Sequence, residues 1–127
     1  MHFIPCPDRQ AYQAQVWSFV RQIPVGKVVT YGQITTALPC PDGVSAEHYK
    51  MSASRWVGAA MAACPDDVPW HRVVNAQGKI SHQSSAAEQK QRLINEGVLF
   101  VAHKIELSQY QWMAEGKTEQ PLQGQLF

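Results

Sequence analysis

The chain has few cysteines, few charges and no long apolar run. Its three cysteines, Cys6, Cys40 and Cys64, are odd in number and widely spaced, which argues against a disulfide framework and predicts reduced, unlinked thiols. There is no C-x-x-C pair, and none of the five histidines stands at finger-like spacing from a cysteine pair. No metal site and no cofactor are therefore expected. No apolar stretch approaches the roughly 20 residues of a membrane helix. Met1 to Gln10 has neither a basic region nor an apolar segment of the secretory kind, so the expected location is the cell interior, away from membranes. Charged residues make up only 17% and the net charge is +1, which alone would not suggest a nucleic-acid partner. The charge is uneven, however. Residues 50–92 carry six positive and three negative groups, and residues 93–127 carry two positive and four negative.

What is present suits one globular domain: 127 residues, 45% of them hydrophobic. Asp8 to Arg21 reads as an amphipathic helix capped by Asp8, with Tyr12, Val16, Phe19, Val20 and Ile23 near helical spacing. Pro24 and Gly26 end it in a turn. Thr30 predicts the N-cap of a short helix from Tyr31 to Leu38, and Pro39, Pro41, Asp42 and Gly43 mark a loop. One helical turn is expected within Ser45–Lys50, and a separate helix rich in small residues from Ser52 to Ala63. Two helices joined by a loop, the second bearing small residues and an arginine, fit a helix-turn-helix arrangement. Val73-Val74, the Asn75–Gly78 turn and Lys79 to Ser81 read as a strand, turn and return strand. Ser85 with Glu88 suggests a capping box for a helix reaching Glu96, with Gly97 as its C′ residue. A short strand is expected at Val98–Phe100, and Trp112 is the last residue expected to pack.

The stretches that carry chemistry are Val28-Val-Thr-Tyr-Gly32, Ser54-Arg-Trp-Val-Gly58, Pro69-Trp-His-Arg-Val73, Gly78 and Leu93-Ile-Asn-Glu-Gly97. In this order and spacing they resemble the motif series of the O6-alkylguanine-DNA alkyltransferases. The likeness runs from about Val16 to Gly97 and more weakly through Trp112. In that family the third motif reads Pro-Cys-His-Arg-Val, and its cysteine accepts the alkyl group as a thiolate made by the adjacent histidine. Here the position is Trp70. Indole offers an N–H donor and no nucleophilic lone pair, so transfer by the family route is excluded at this position. A tryptophan here is similar to the alkyltransferase-like subset, which binds O6-alkylguanine in DNA without repairing it.

The resemblance implies a mainly α (α+β) fold: a single alkyltransferase C-terminal-type domain with a winged helix-turn-helix-like element and a small β-hairpin wing. The domain is expected over residues 1–113, with a flexible tail over 114–127. The resemblance assigns the lesion pocket to Trp70, Val74, Ile80 and Ser81. Nucleotide rotation falls to Tyr31, stack filling to Arg55 and minor-groove contact to Ala59, Ala60 and Ala63. His71, Arg72 and Glu96 would form a polar network behind the pocket, and Lys50 and Lys79 could reach phosphate. Implied partners are DNA containing O6-alkylguanine and damage-recognition proteins of nucleotide excision repair, met by a monomer in a bacterial, nucleoid-associated cytoplasm. The terminal Gln123-Gly-Gln-Leu126-Phe127 resembles a peptide that docks on the bacterial sliding clamp.

Three departures from the family pattern stand out. Trp56 replaces the usual alanine after the arginine, either widening a groove contact or filling core. Cys64 replaces the asparagine of an Asn-Pro pair, and the segment from Leu38 to Ser52 is longer than usual. Two other functions compete with lesion binding. A residual base-modifying enzyme would use the same pocket, although Asp66 and Asp67 are the only carboxylates near the third motif. A helix-turn-helix regulator would prefer a particular undamaged sequence.

Overall fold

The structure, a computed structural model, describes residues 6–80 and 85–113. Helix α1 spans Arg9–Arg21, and the Asp8 side chain accepts from the Ala11 N–H at 3.1 Å, as expected of the cap. Strand β1 (Val29–Thr30) leads directly into helix α2 (Tyr31–Ala37). Thr30 and Gln33 form a reciprocal capping box there. Helix α3 runs unbroken from Ala46 to Ala62, so the two separate pieces expected over 45–63 are one element, capped by Ser45. Ser52, which looks like a weak point for a helix, is fully buried within it. Tertiary packing overrides its modest propensity.

A short 3₁₀ turn at Trp70–Arg72 precedes strand β2 (Val73–Val74). The return strand expected at 79–81 is not assigned over its described residues. β2 instead pairs in parallel with β1, with Val29 opposite Val73 and Thr30 opposite Val74. The Asn75–Gly78 turn does form, and the Asn75 N–H donates to the Lys79 carbonyl at 3.0 Å. The Gly78 carbonyl, however, accepts from the Ile105 N–H at 2.9 Å, so the pairing partner lies far along the chain.

Helix α4 covers Ala86–Asn95. Its expected capping box is absent, because the Glu88 carboxylate binds Arg92 one turn on at 2.7 Å and Ser85 makes no side-chain cap. The helix ends as expected at Gly97. The Gly97 N–H reaches the Ile94 carbonyl and the Val98 N–H reaches that of Leu93, both at 3.0 Å. This Schellman arrangement is completed by Leu93 and Val98 packing in the same core cluster. The hairpin is made by β3 (Phe100–Val101) and β4 (Lys104–Ile105), antiparallel across Ala102 and His103, which both have positive φ. It begins two residues later than the strand expected from Val98. Gly78 anchors it: a Cβ there would lie 2.4 Å from the Ile105 carbonyl oxygen, so only glycine fits. Helix α5 (Leu107–Tyr110) follows, and Gln111 bridges back to Val28.

The β1–β2 pair separates two apolar clusters. Val29 and Val73 face one, with Tyr12, Val16, Ile34, Trp56 and Val57. Val28 and Val74 face the other, with Leu93, Val98 and Ile105. The alternation is the period of two that extended backbone imposes. Among the described residues no helix is long and apolar enough to cross a membrane.

Candidate lesion-binding site

The exposed face of α3 is set by helical phase. Ser52, Ala53, Trp56, Val57, Ala60 and Met61 are buried, which leaves Ser54, Arg55, Ala59, Ala62 and Ala63 exposed. Arg55, Gly58, Ala59 and Ala62 follow i, i+3, i+4, i+7 spacing and share one side. Arg55, Ala59 and Ala63 thus stand on a surface that another molecule can approach closely. Ala60 does not: it is 0% exposed and its carbonyl accepts from the Trp17 indole N–H at 2.8 Å. The expectation of a groove contact from Ala60 fails because it lies one helical step from Ala59. Ala62 takes the vacant place, and the spacing in the sequence would have found it. Trp56 fills core, with edge-on rings to Tyr12 at 5.5 Å and a tilted contact to Tyr49 at 5.8 Å.

Tyr31 is the first residue of α2 and is half-buried against the first cluster. Gln33 fixes its position. The Gln33 side chain accepts from the Thr30 N–H at 3.0 Å and from the Gln111 amide at 2.7 Å, and donates to the Trp112 carbonyl at 2.8 Å. Trp112 in turn stacks at a tilt on Phe19, as its expected packing role requires.

Trp70 is half-buried at the start of the 3₁₀ turn, where its backbone N–H donates to the Val68 carbonyl at 2.7 Å. It lines a cavity of about 350 Å³ with Met61, Ala62, Cys64, Pro65 and Asp66 from the end of α3 and the following loop, and with Ser85. The Arg92 guanidinium lies 5.4 Å from the centre of its ring. Two residues not foreseen from the sequence hold this turn. One is Arg92. The other is Gln89, 2% exposed, whose amide donates to the carbonyls of His71 (3.1 Å) and Val73 (2.9 Å). Gln89 and Leu93 are one helical turn apart on the buried side of α4, a signal that a polar residue in a core stripe could have given.

Behind the turn lies the polar network that the sequence implied. Glu96 accepts from Arg72 Nη2 at 2.7 Å and Nε at 3.0 Å, from the Gly26 N–H at 3.1 Å, and lies 2.7 Å from His71 Nε2. Arg72 also donates to the Ile23 carbonyl at 2.8 Å. Burial pulls the Glu96 carboxyl upward, but the hydrogen bonds from Arg72, His71 and Gly26 overcome it and hold the group down at about 2. Burial pushes His71 below its usual value against the pull of Glu96, so the ring is neutral. A neutral ring donating from Nε2 leaves Nδ1 bare, and that atom is buried with no partner among the described residues.

Val74 is fully buried in the second cluster, so its side chain is core and not pocket wall. Ile80 lines a different cavity of about 410 Å³, between α4 and the hairpin, with Lys79, Lys90, Phe100 and His103. The structure therefore does not bring Val74 or Ile80 to Trp70. Lys50 and Lys79 are exposed. Ser81, Gln123, Leu126 and Phe127 lie outside the described residues, as does the 114–127 tail. Cys6, Cys40 and Cys64 are free thiols.

Residues 11–98 match the family model described as 6-O-methylguanine DNA methyltransferase, DNA binding domain. A DNA base-flipping protein of Vibrio parahaemolyticus is 36% identical over 105 residues, spanning 80% of this chain and 95% of that protein. Alkyltransferase-like protein 1 of Schizosaccharomyces pombe is 38% identical over 111 residues, spanning 80% of this chain and 94% of that one. The crystal structure of S. pombe Atl1 in complex with damaged DNA containing O6-carboxymethylguanine superposes with a TM-score of 0.66 at 36% identity, covering 83% of this chain and 97% of that one.

Proposed function

The chain belongs to the family of the 6-O-methylguanine DNA methyltransferase DNA-binding domain, and from that membership we propose that it binds O6-alkylguanine in duplex DNA by base flipping and leaves the alkyl group in place. One observation carries the reading. An aromatic side chain without a nucleophile, Trp70, lines a cavity that opens beside the exposed small-residue face of α3. The relatives named for base flipping and the solved complex with damaged DNA support it.

In this mechanism α3 enters the minor groove on its Ala59, Ala62 and Ala63 side. Tyr31 turns the nucleotide outward and Arg55 fills the gap in the stack, offsetting part of the few kcal/mol that flipping costs. The extruded base packs on the indole of Trp70. No alkyl transfer follows, because indole offers no lone pair and Cys64, the cysteine that shares the cavity, is a poor nucleophile. Burial first, and then the Asp66 and Asp67 carboxylates, push its thiol up and keep it protonated. The His71–Glu96–Arg72 network serves as a frame for the turn. The bound complex then marks the site for nucleotide excision repair proteins, in a bacterial cytoplasm and as a monomer. The Gln123-x-x-Leu126-Phe127 tail tethers it to the sliding clamp, and deleting Leu126 and Phe127 should abolish capture by the clamp in a pull-down.

The test is a binding titration at fixed salt on duplexes with and without one O6-methylguanine, followed by analysis of the recovered DNA. The expected result is preferential binding with the methyl group intact, weakened by Arg55→Ala and by Tyr31→Ala. Equal binding to both duplexes would refute lesion recognition, and loss of the methyl group would reveal an enzyme.

A further inference from the structure

Resting on the lesion-binding reading, we propose that the cavity beside Trp70 sorts O6 substituents by charge, admitting neutral and cationic alkyl groups and disfavouring anionic ones, with Asp66 as the discriminating residue. The cavity wall supplies apolar surface from Met61, Ala62 and Pro65, a thiol from Cys64, the Trp70 ring, the neutral Ser85 and one carboxylate, Asp66. At about 350 Å³ it falls at the small end of ligand pockets, roughly 300–1,000 Å³. It has room for substituents larger than methyl, so the chemistry of the far end of the substituent matters.

The two acids of the 65–68 loop differ in their surroundings. Asp67 is paired with Arg21, which donates to it at 2.8 and 3.3 Å. Asp66 lines the cavity, and among the described residues no ion pair joins it. Its carboxylate shares the cavity wall with the Cys64 thiol, which burial first, and then the charges of both Asp66 and Asp67, push up.

The cations nearby already have carboxylate partners or line the other cavity. Arg92 lies against the Trp70 ring with its guanidinium on Glu88 at 2.7 and 3.0 Å. Arg72 is held by Glu96, and Lys79 and Lys90 line the other cavity. A carboxylate carried in on O6 would therefore lose water and meet a like charge, while the nearest cation, Arg92, is already paired with Glu88. A neutral chain meets apolar wall, and an ammonium meets an opposite charge. The S. pombe relative was solved with O6-carboxymethylguanine, an anionic adduct; this chain is expected to rank that adduct low.

The experiment is fluorescence anisotropy on the full chain at one low salt concentration, repeated at a higher one. The duplexes carry a single guanine, O6-methylguanine, O6-propylguanine, O6-carboxymethylguanine or O6-(2-aminoethyl)guanine. The carboxymethyl duplex is expected to bind about fivefold more weakly than its neutral propyl counterpart, and the difference should shrink as salt screens the exposed carboxylate. Asp66→Asn should bring the two within about twofold and remove the advantage of the aminoethyl adduct, both read as ratios of adducts within the same variant. Circular dichroism and an unchanged urea midpoint show the variant to be folded. Equal affinities for carboxymethyl and propyl adducts, or a ratio that Asp66→Asn does not move, would overturn charge selection while leaving lesion binding intact. No preference for any adduct over plain guanine would overturn both.

Discussion

Glu96→Gln should be among the most damaging single-atom exchanges in this chain. The Glu96 carboxylate takes two donors from Arg72, one from the Gly26 backbone and the His71 ring, and its side chain is only 15% exposed. Arg72 is 13% exposed. Removing the negative charge leaves a guanidinium buried without a counterion, a situation that typically costs about 3–5 kcal/mol. For a domain whose whole stability is about 5–15 kcal/mol, that loss is a large share of the total. Asp67→Asn is the control, because the Arg21–Asp67 pair has similar geometry but side chains that are 42% and 65% exposed. Its loss should be much the smaller of the two and should shrink further as salt is added. Urea denaturation followed by tryptophan fluorescence measures both, with an unchanged slope showing that only stability has moved. Replacing both partners, Arg72→Met with Glu96→Leu, should recover part of the loss, since no lone charge remains buried. If Glu96→Gln cost no more than Asp67→Asn, burial would not be what makes this network strong.

The same network predicts how stability responds to acid. The folded value of Glu96, about 2, lies below its ordinary 4.5, so its contribution is complete above that point and is lost as pH falls from 4.5 through about 2. His71 is also lowered, from 6.5, so a first loss begins as pH falls below that value; a melting temperature that rose between pH 7 and pH 5 would contradict this. Trp70→Ala should erase the preference for O6-methylguanine while leaving the fold intact, and Trp70→Cys should not restore transfer of a labelled methyl group, because a nucleophile also needs a site shaped to present it. Stoichiometric labelling of Trp70→Cys would refute that. Gly78→Ala should destabilise by at least about 2 kcal/mol in urea, since its Cβ would meet the Ile105 carbonyl at 2.4 Å and its φ is +79°.

Much of this was legible because it is local. Asp8, Thr30 and Gly97 announce helix ends through backbone chemistry that acts within a few residues, and all three do so here. The network of His71, Arg72 and Glu96 was legible through its motif alone. What escaped depends on partners distant in sequence. Glu88 was free to cap α4 as far as the sequence tells, but Arg92 claims it. The strand partner of Val73 and Val74 is β1 and not the residues just after the turn. Val74 looked like a pocket residue and is core, because the period of two turns it away from Val73's side. Gln89 and Arg92 gained their roles only when α4 packed against the Trp70 turn.

The two-residue β1–β2 ladder has a consequence for how the chain folds. Val28 and Val29 point into different apolar clusters, and so do Val73 and Val74. Neither cluster can be assembled without fixing backbone that the other also needs. The halves cannot melt one after the other, and the chain should unfold in a single cooperative step. Amide protons along this ladder should then exchange with solvent only through global opening, which makes the strip between the two clusters the slowest-exchanging part of the molecule.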